Sequence, residues 1–230
     1  MTEKKIPVEQ LIKEQIQRWK TLYDHSTGET EARLPVITVS LEPGAGGSLL
    51  ARKIADRLGF DLFNRDIIEK IAKSTKTRSA VIETLEKERL AGIKDFISSL
   101  IEDQYIHPDL YLEHLFEVIG SIGGHGRAVI VGRGANFILP PEGRFSVRVV
   151  APLEIRIQNI VRSHDVSADA ARRRIIARES RRSAFVRRSF NANIANPHNY
   201  DMILNTGKMS IAAAVEAVIA AVMATLVGNP

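Results

Sequence analysis

The chain contains no cysteine. That absence excludes disulfides, thiolate metal sites and cysteine nucleophiles, and it fits a reducing cytoplasm. No run of eighteen apolar residues occurs either. The alanine-rich stretch 211–227 is interrupted by Glu216 and is short for a membrane span, so it reads as a buried terminal helix. The first twenty residues carry Lys4, Lys5, Glu9, Lys13 and Glu14, which leaves no room for the apolar core of a signal peptide. His107 and His114 have no acidic or histidine partners at metal-ligand spacing and read as structural or surface residues. Lysine is missing where it would be most informative. Residues 144–190 hold twelve arginines and four acids but no lysine, a local balance of +8, which leaves the remainder of a +5 chain about three units acidic. Arginine without lysine points to forked contacts with phosphate or carboxylate rather than to a merely solubilising surface.

What is present is a globular composition, with 44% hydrophobic and 26% charged residues over 230 positions, enough for one large domain or a domain with appendages. The most informative stretch is VITVSLEPGAGGS (36–48) followed by an apolar helical pattern through Leu58. Val, Ile and Thr suit a buried strand. Gly44, Gly46 and Gly47 let the backbone turn tightly and gather N–H groups at the start of a helix, where an anion is favoured. Set against the Walker A pattern, Ser48 takes the hydroxyl position, Gly46 the second glycine, Leu41 the first, and Gly47 the lysine. The backbone half of a phosphate cradle is there without its cation. On pattern alone, phosphate binding and an ordinary strand-to-helix turn both remain open.

Residues 1–33 read as an amphipathic helix and polar linker. Its stripe (Val8, Leu11, Ile12, Gln15, Ile16, Trp19, Leu22, Tyr23) must be buried on the parent domain or on a second copy of the chain. From residue 34 onward strands alternate with helices, which predicts an α/β domain with a largely parallel sheet. Residues 60–63 form a candidate second strand ending in Asn64, Arg65 and Asp66, with Asp66 as a helix N-cap; polar residues there can contact a ligand or only cap the helix. Residues 78–120 read as helix interrupted at Pro108, an insertion (about 76–120) able to close over a pocket. SIGGHGR (121–127) reads as a glycine-rich turn before the apolar strand 128–131, which ends in Gly132-Arg133-Gly134. An arginine between glycines at the end of a buried strand must face a cavity. Further strands fall at 145–150 and 202–204, with a helix between them at 165–190. From 156 to 188, ten arginines face three acids, so internal pairing cannot neutralise the excess. Only Phe185 and Phe190 accompany them, which is thin for nucleic-acid stacking.

Four segments in this order, ITVSLEPGAGGSLLARKIADRLGF, VIVGRGANFIL, VRVVAPLEIRI and NPHNYDMILNTGKMS, resemble the cytidylate kinase-like family, a branch of the nucleoside monophosphate kinases. The resemblance runs from about residue 36 to the C-terminus. It implies a P-loop NTPase-like three-layer fold with a five-stranded parallel core sheet, a helical insertion and an arginine-rich lid at about 165–190. It implies ATP held by Gly44, Ala45, Gly46, Gly47, Ser48 and Leu49, with Mg2+ near Ser48. Arg133 resembles a ligand of the substrate phosphate, and Asn64, Arg65 and Asp66 fall where the family binds its acceptor nucleotide. With no Walker lysine, a lid arginine would have to meet the phosphates, Arg182 first, then Arg178, Arg181 and Arg187. Two positions depart from the pattern. Gly134 stands where cytidylate kinases carry an aspartate, and Leu41 where this branch carries an arginine. The implied activity is ATP-dependent phosphoryl transfer to a CMP-like acceptor; a nucleotide sensor without turnover and a nucleic-acid binder are the alternatives.

Overall fold

The computed structural model describes residues 7–25, 35–85, 87–103 and 107–227. Its centre is a five-stranded parallel sheet of β1 (Val36–Leu41), β2 (Asp61–Phe63), β3 (Ala128–Val131), β4 (Arg144–Val150) and β5 (Met202–Asn205), in the spatial order β2-β3-β1-β4-β5. The central strand pairs Val39 with Val131 on one side and Val147 on the other. From β1 the chain crosses to the edge strand β2, returns to lay β3 between the two, and then builds the opposite side through β4 and β5. In such sheets the crevice for ligands lies outside the carboxyl ends of the strands where the order reverses.

Strand alternation sends Ile37, Val39, Val129, Val147 and Val149 to one face. There α2 (Gly47–Leu58) and α10 (Ile211–Val227) cover them with Leu50, Ile54, Val215 and Val218. A fully buried side chain such as Leu50 contributes about 1.5–3 kcal/mol relative to exposure. The opposite face receives Ile130, Phe116, Ile119 and Ile122, with Ile68 and Ile71, through α3 (Arg65–Lys73) and α6 (Leu110–His125). On that same face the paired strands β1 and β4 bury a polar row, Thr38 beside Ser146 and Ser40 beside Arg148. Among the described residues no helix is long and apolar enough to cross a membrane.

The helical insertion comprises three helices, α4 (Thr75–Ile82), α5 (Lys87–Asp103) and α6, rather than one interrupted run. Asp109 caps α6 by accepting from the Leu112 N–H at 2.9 Å. The SIGGHGR segment is not a turn before β3. Gly123 and Gly124 lie within α6, where a Cβ on the first would overlap Leu139 Cδ2 and one on the second would stand 2.9 Å from Leu85 Cδ2, and only Gly126 lies beyond it, as the C-cap. Asn64, not Asp66, caps α3, its Oδ1 accepting from the N–H groups of Asp66 and Ile67. The first helix, α1 (Val8–His25), packs Val8, Ile12, Ile16 and Trp19 on its own domain. Trp19 stacks on His125 (4.1 Å between centroids) and Phe63 (5.7 Å), and Ile12 is buried. Gln15 and Arg18 both donate to Asp61 on the edge strand β2, at 2.7 and 2.6 Å.

Candidate functional site

The loop between β1 and α2 adopts left-handed backbone at Gly44 (φ 87°) and Gly46 (φ 77°). A Cβ at Gly44 would meet the Arg156 carbonyl at 2.6 Å, so glycine is required there by both conformation and space. The loop carbonyls are turned outward and tied down: Gly44 O accepts from Asn159 Nδ2 at 2.8 Å, Ala45 O from Thr206 Oγ1 at 2.7 Å. Among the described residues, the N–H groups of Gly44, Gly46, Gly47 and Ser48 donate to no protein acceptor. A cluster of free donors at a helix N-terminus, with the competing carbonyls turned away, is a nest for an anionic oxygen. Ser48 and Leu49 are exposed at its rim; Ala45 is fully buried beneath it.

The position of the missing lysine is closed. A Cβ at Gly47 would lie 2.6 Å from Leu41 Cβ and 3.3 Å from Val149 Cβ. Every residue but glycine at 41 brings that same atom, so the two positions exclude each other's side chains. Beside the closed position lies α9 (Ala168–Phe190), the arginine-rich helix. Arg182 Nη1 donates to Leu41 O, the last carbonyl of β1, at 2.6 Å. Burial, then the charges of Arg178, Arg133, Arg148 and Arg65, push its guanidinium down to about 10, well below the ordinary arginine value. Five arginines thus converge on the end of the sheet. A cationic cluster with more arginines than acids is stabilised by anions.

Arg133 sits at the end of β3 in a left-handed stretch of three residues, Gly132, Arg133 (φ 56°) and Gly134. Such backbone in a non-glycine residue is a strained arrangement that concentrates at functional sites. Its Nη1 reaches Glu69 (3.0 Å) and the Tyr111 hydroxyl (3.1 Å), its guanidinium lies 5.6 Å from the centroid of Phe185, and its buried Nε has no partner. Glu69 also accepts from Arg65 Nε at 2.8 Å, so one carboxylate gathers both arginines. A side chain at Gly134 would fall within the Phe190 ring, which itself stacks on Phe137.

Of the residues singled out from sequence, the loop, Arg65, Arg133, Arg178 and Arg182 share one region. Asp66 is exposed in the first turn of α3, and the Asn64 side chain is occupied by capping. Arg181 is exposed and turned away from the cluster that bears on Arg182. Arg187 faces a separate cavity of about 460 Å³, shared with Ser183, Asn191 and Asn193. Sequence reasoning passes over Arg148, buried in β4 and hydrogen-bonded to Ser40 Oγ at 2.7 Å, although a lone charge inside an apolar strand is a readable signal. Glu42, Glu69, Arg156 and Glu179 give no comparable signal. Among the described residues no cluster of three or more His, Asp or Glu could hold a metal on its own.

The model of the Cytidylate kinase-like family matches residues 36–208. The chain belongs to the cytidylate kinase-like family. Its family relatives include a cytidylate kinase of Ignicoccus hospitalis, 25% identical over 185 residues, covering 80% of this chain and 97% of that protein. Another, from Methanothrix thermoacetophila, is 26% identical over 174 residues, covering 75% and 89%. The same fold occurs in an uncharacterised protein from Eubacterium ventriosum (19% identity, TM-score 0.64), with 84% of this chain and 99% of that one superposed. Within the family frame, the fold is the P-loop kinase type: a parallel five-stranded sheet, helices on both faces and the glycine loop after β1.

Proposed function

We propose that this family member is an ATP-dependent kinase that transfers a phosphoryl group to a nucleoside monophosphate, with a CMP-like acceptor. The observation that carries this reading is the pairing of the open N–H nest at Gly44, Gly46, Gly47 and Ser48 with the buried guanidinium of Arg182 at the strand end beside it. The cytidylate kinases among the relatives support the acceptor class.

In this reading the loop N–H groups and the α2 N-terminus hold the ATP phosphates, and Ala45 and Leu49 complete the cradle. The Ser48 hydroxyl is the protein ligand offered to Mg2+; with no carboxylate cluster nearby, the remaining ligands would be phosphate oxygens and water. When bound, the magnesium ion draws charge from the phosphate oxygens. Arg133 and Arg65, aligned by Glu69, bind the acceptor phosphate and present its oxygen in line. Arg182, backed by Arg178, stabilises charge on the phosphoryl group as its bond to the ADP oxygen breaks and the bond to the acceptor oxygen forms. Asn64 and Asp66 lie at the acceptor side of the strand ends and line its rim. Measuring ADP release with a panel of nucleoside monophosphates tests the reading. Turnover is expected with CMP or a close analogue; ATP binding without turnover on any acceptor overturns it.

A second reading, a nucleotide sensor without turnover, draws on the closed lysine position and on Leu41. It expects a thermal shift with ATP that Gly46→Val abolishes, since a side chain there has left-handed backbone and Ile211 at 2.8 Å, and no ADP release. Binding of nucleic acid has less support, because Arg148, Arg156 and Arg182 point inward rather than forming a surface track.

A further inference from the structure

Arg156 lies on α8 (Leu153–His164), outside the glycine loop and outside the arginine-rich helix, yet it touches both. Its side chain is 9% exposed. Nε donates to Ala151 O at 2.9 Å and lies 3.4 Å from Glu42 Oε2, in the residue that opens the glycine loop. The same Glu42 oxygen accepts from the Ala151 N–H at 3.1 Å. Nη1 meets Glu179 Oε1 at 2.6 Å. The backbone of Arg156 packs where a Gly44 side chain would be, and one turn on, Asn159 holds the Gly44 carbonyl. Arg156 is therefore fixed to the loop by its backbone and by Glu42, and offers its outer nitrogen to α9.

Glu179 and Arg182 are three residues apart on α9 and share one face of it. The helix thus meets the start of the loop at two adjacent points: Glu179 through Arg156 to Glu42, and Arg182 directly on Leu41 O. Arg182 is repelled by the four arginines around it. Left to that repulsion, α9 would carry its guanidinium away from the loop. The Glu179–Arg156 pair opposes the displacement with an attraction in a largely buried setting.

We infer that Glu179 and Arg156 are positioning residues: they clamp the arginine-rich helix to the phosphate loop so that Arg182 is held where nucleotide phosphates bind. The inference rests on the reading of Arg182 as the cation that stands in for the absent lysine. It makes the loop and α9 one mechanical unit, with the clamp acting only through Arg182.

The test measures affinity for ATP with magnesium, no acceptor present, by titration calorimetry on wild type, E179Q, E179D, R182A and E179Q/R182A, with thermal unfolding of the same samples. E179Q leaves Arg156 paired with Glu42, so the buried charge stays compensated and the fold is retained. Expected is an affinity loss of about tenfold in E179Q, with E179D recovering part of it through its retained carboxylate. In the R182A background E179Q should change affinity by less than about twofold, while the changes in Tm simply add. An equal loss in both backgrounds, or no loss in E179Q, overturns the clamp and leaves the nucleotide reading intact. No ATP binding by the wild-type chain overturns both.

Discussion

Replacing Arg182 by methionine should stabilise the ligand-free chain and weaken its hold on nucleotide. The guanidinium is pushed down to about 10, first by burial and then by Arg178, Arg133, Arg148 and Arg65. At about 1.4 kcal/mol per pKa unit, the displacement sets a ceiling of about 3 kcal/mol on the cost of keeping that charge. Solvent reaches part of the group, and the bond to Leu41 O, worth about 1 kcal/mol, is lost with it. Methionine preserves most of the apolar stem. A net gain of about 1 kcal/mol remains, which raises Tm by about 2–4 °C in a domain of this size. The same substitution removes a charged donor from the phosphates and should weaken ATP binding by about 10- to 100-fold. The sign of the pH dependence follows. Because the folded value lies below the unfolded one, above about pH 10 the unfolded chain retains a proton the folded chain has released, so wild-type stability rises with pH there. The advantage of R182M should therefore be constant through neutral pH and shrink above about pH 10. Differential scanning calorimetry of both proteins, with and without ATP, checks all three outcomes. A fall in Tm with affinity unchanged would refute the reasoning, since Arg182 would then be a structural residue.

Gly47→Lys, which restores the Walker residue in name, should destabilise the chain by about 1–3 kcal/mol through the overlap with Leu41 Cβ and should not strengthen ATP binding; adding Leu41→Gly should recover part of the loss in thermal unfolding. Trp19→Ala should cost about 3–5 kcal/mol in urea denaturation, because the ring is buried between Phe63 and His125 rather than facing a second copy of the chain.

Most of the central sheet is legible because its signals are local. The run at 128–131 is apolar on both faces, as a central parallel strand requires, the run at 36–41 is rich in Val and Ile, and the loop glycines answer a backbone demand carried within the loop. What sequence could not yield depends on residues far away in the chain. Gly123 and Gly124 read as turn residues, yet they sit within a helix, with Leu139 and Leu85 packed where their side chains would be. Arg181 and Arg182 are indistinguishable by propensity and adjacent in sequence. About 100° of helix rotation separates them, enough to leave one in solvent and bring the other onto the loop strand. Glu42, Arg156 and Glu179 lie in three different elements and become a unit only when those elements meet.

The glycine at 47 shows the same point most sharply. In sequence it is a lysine that is not there, a charge left for an arginine of the lid to supply. In the fold it is a contact: β1 and β4 approach the first turn of α2 so closely that Leu41 and Val149 fill the volume of any side chain. On the proposed reading, a cation for the nest therefore has to come from another element. The carbonyl of Leu41, the same residue that closes the lysine position, is the acceptor on which Arg182 is held. Closing one position and anchoring its substitute are thus two consequences of where β1 ends, and a variant that opens the first without disturbing the second would separate them.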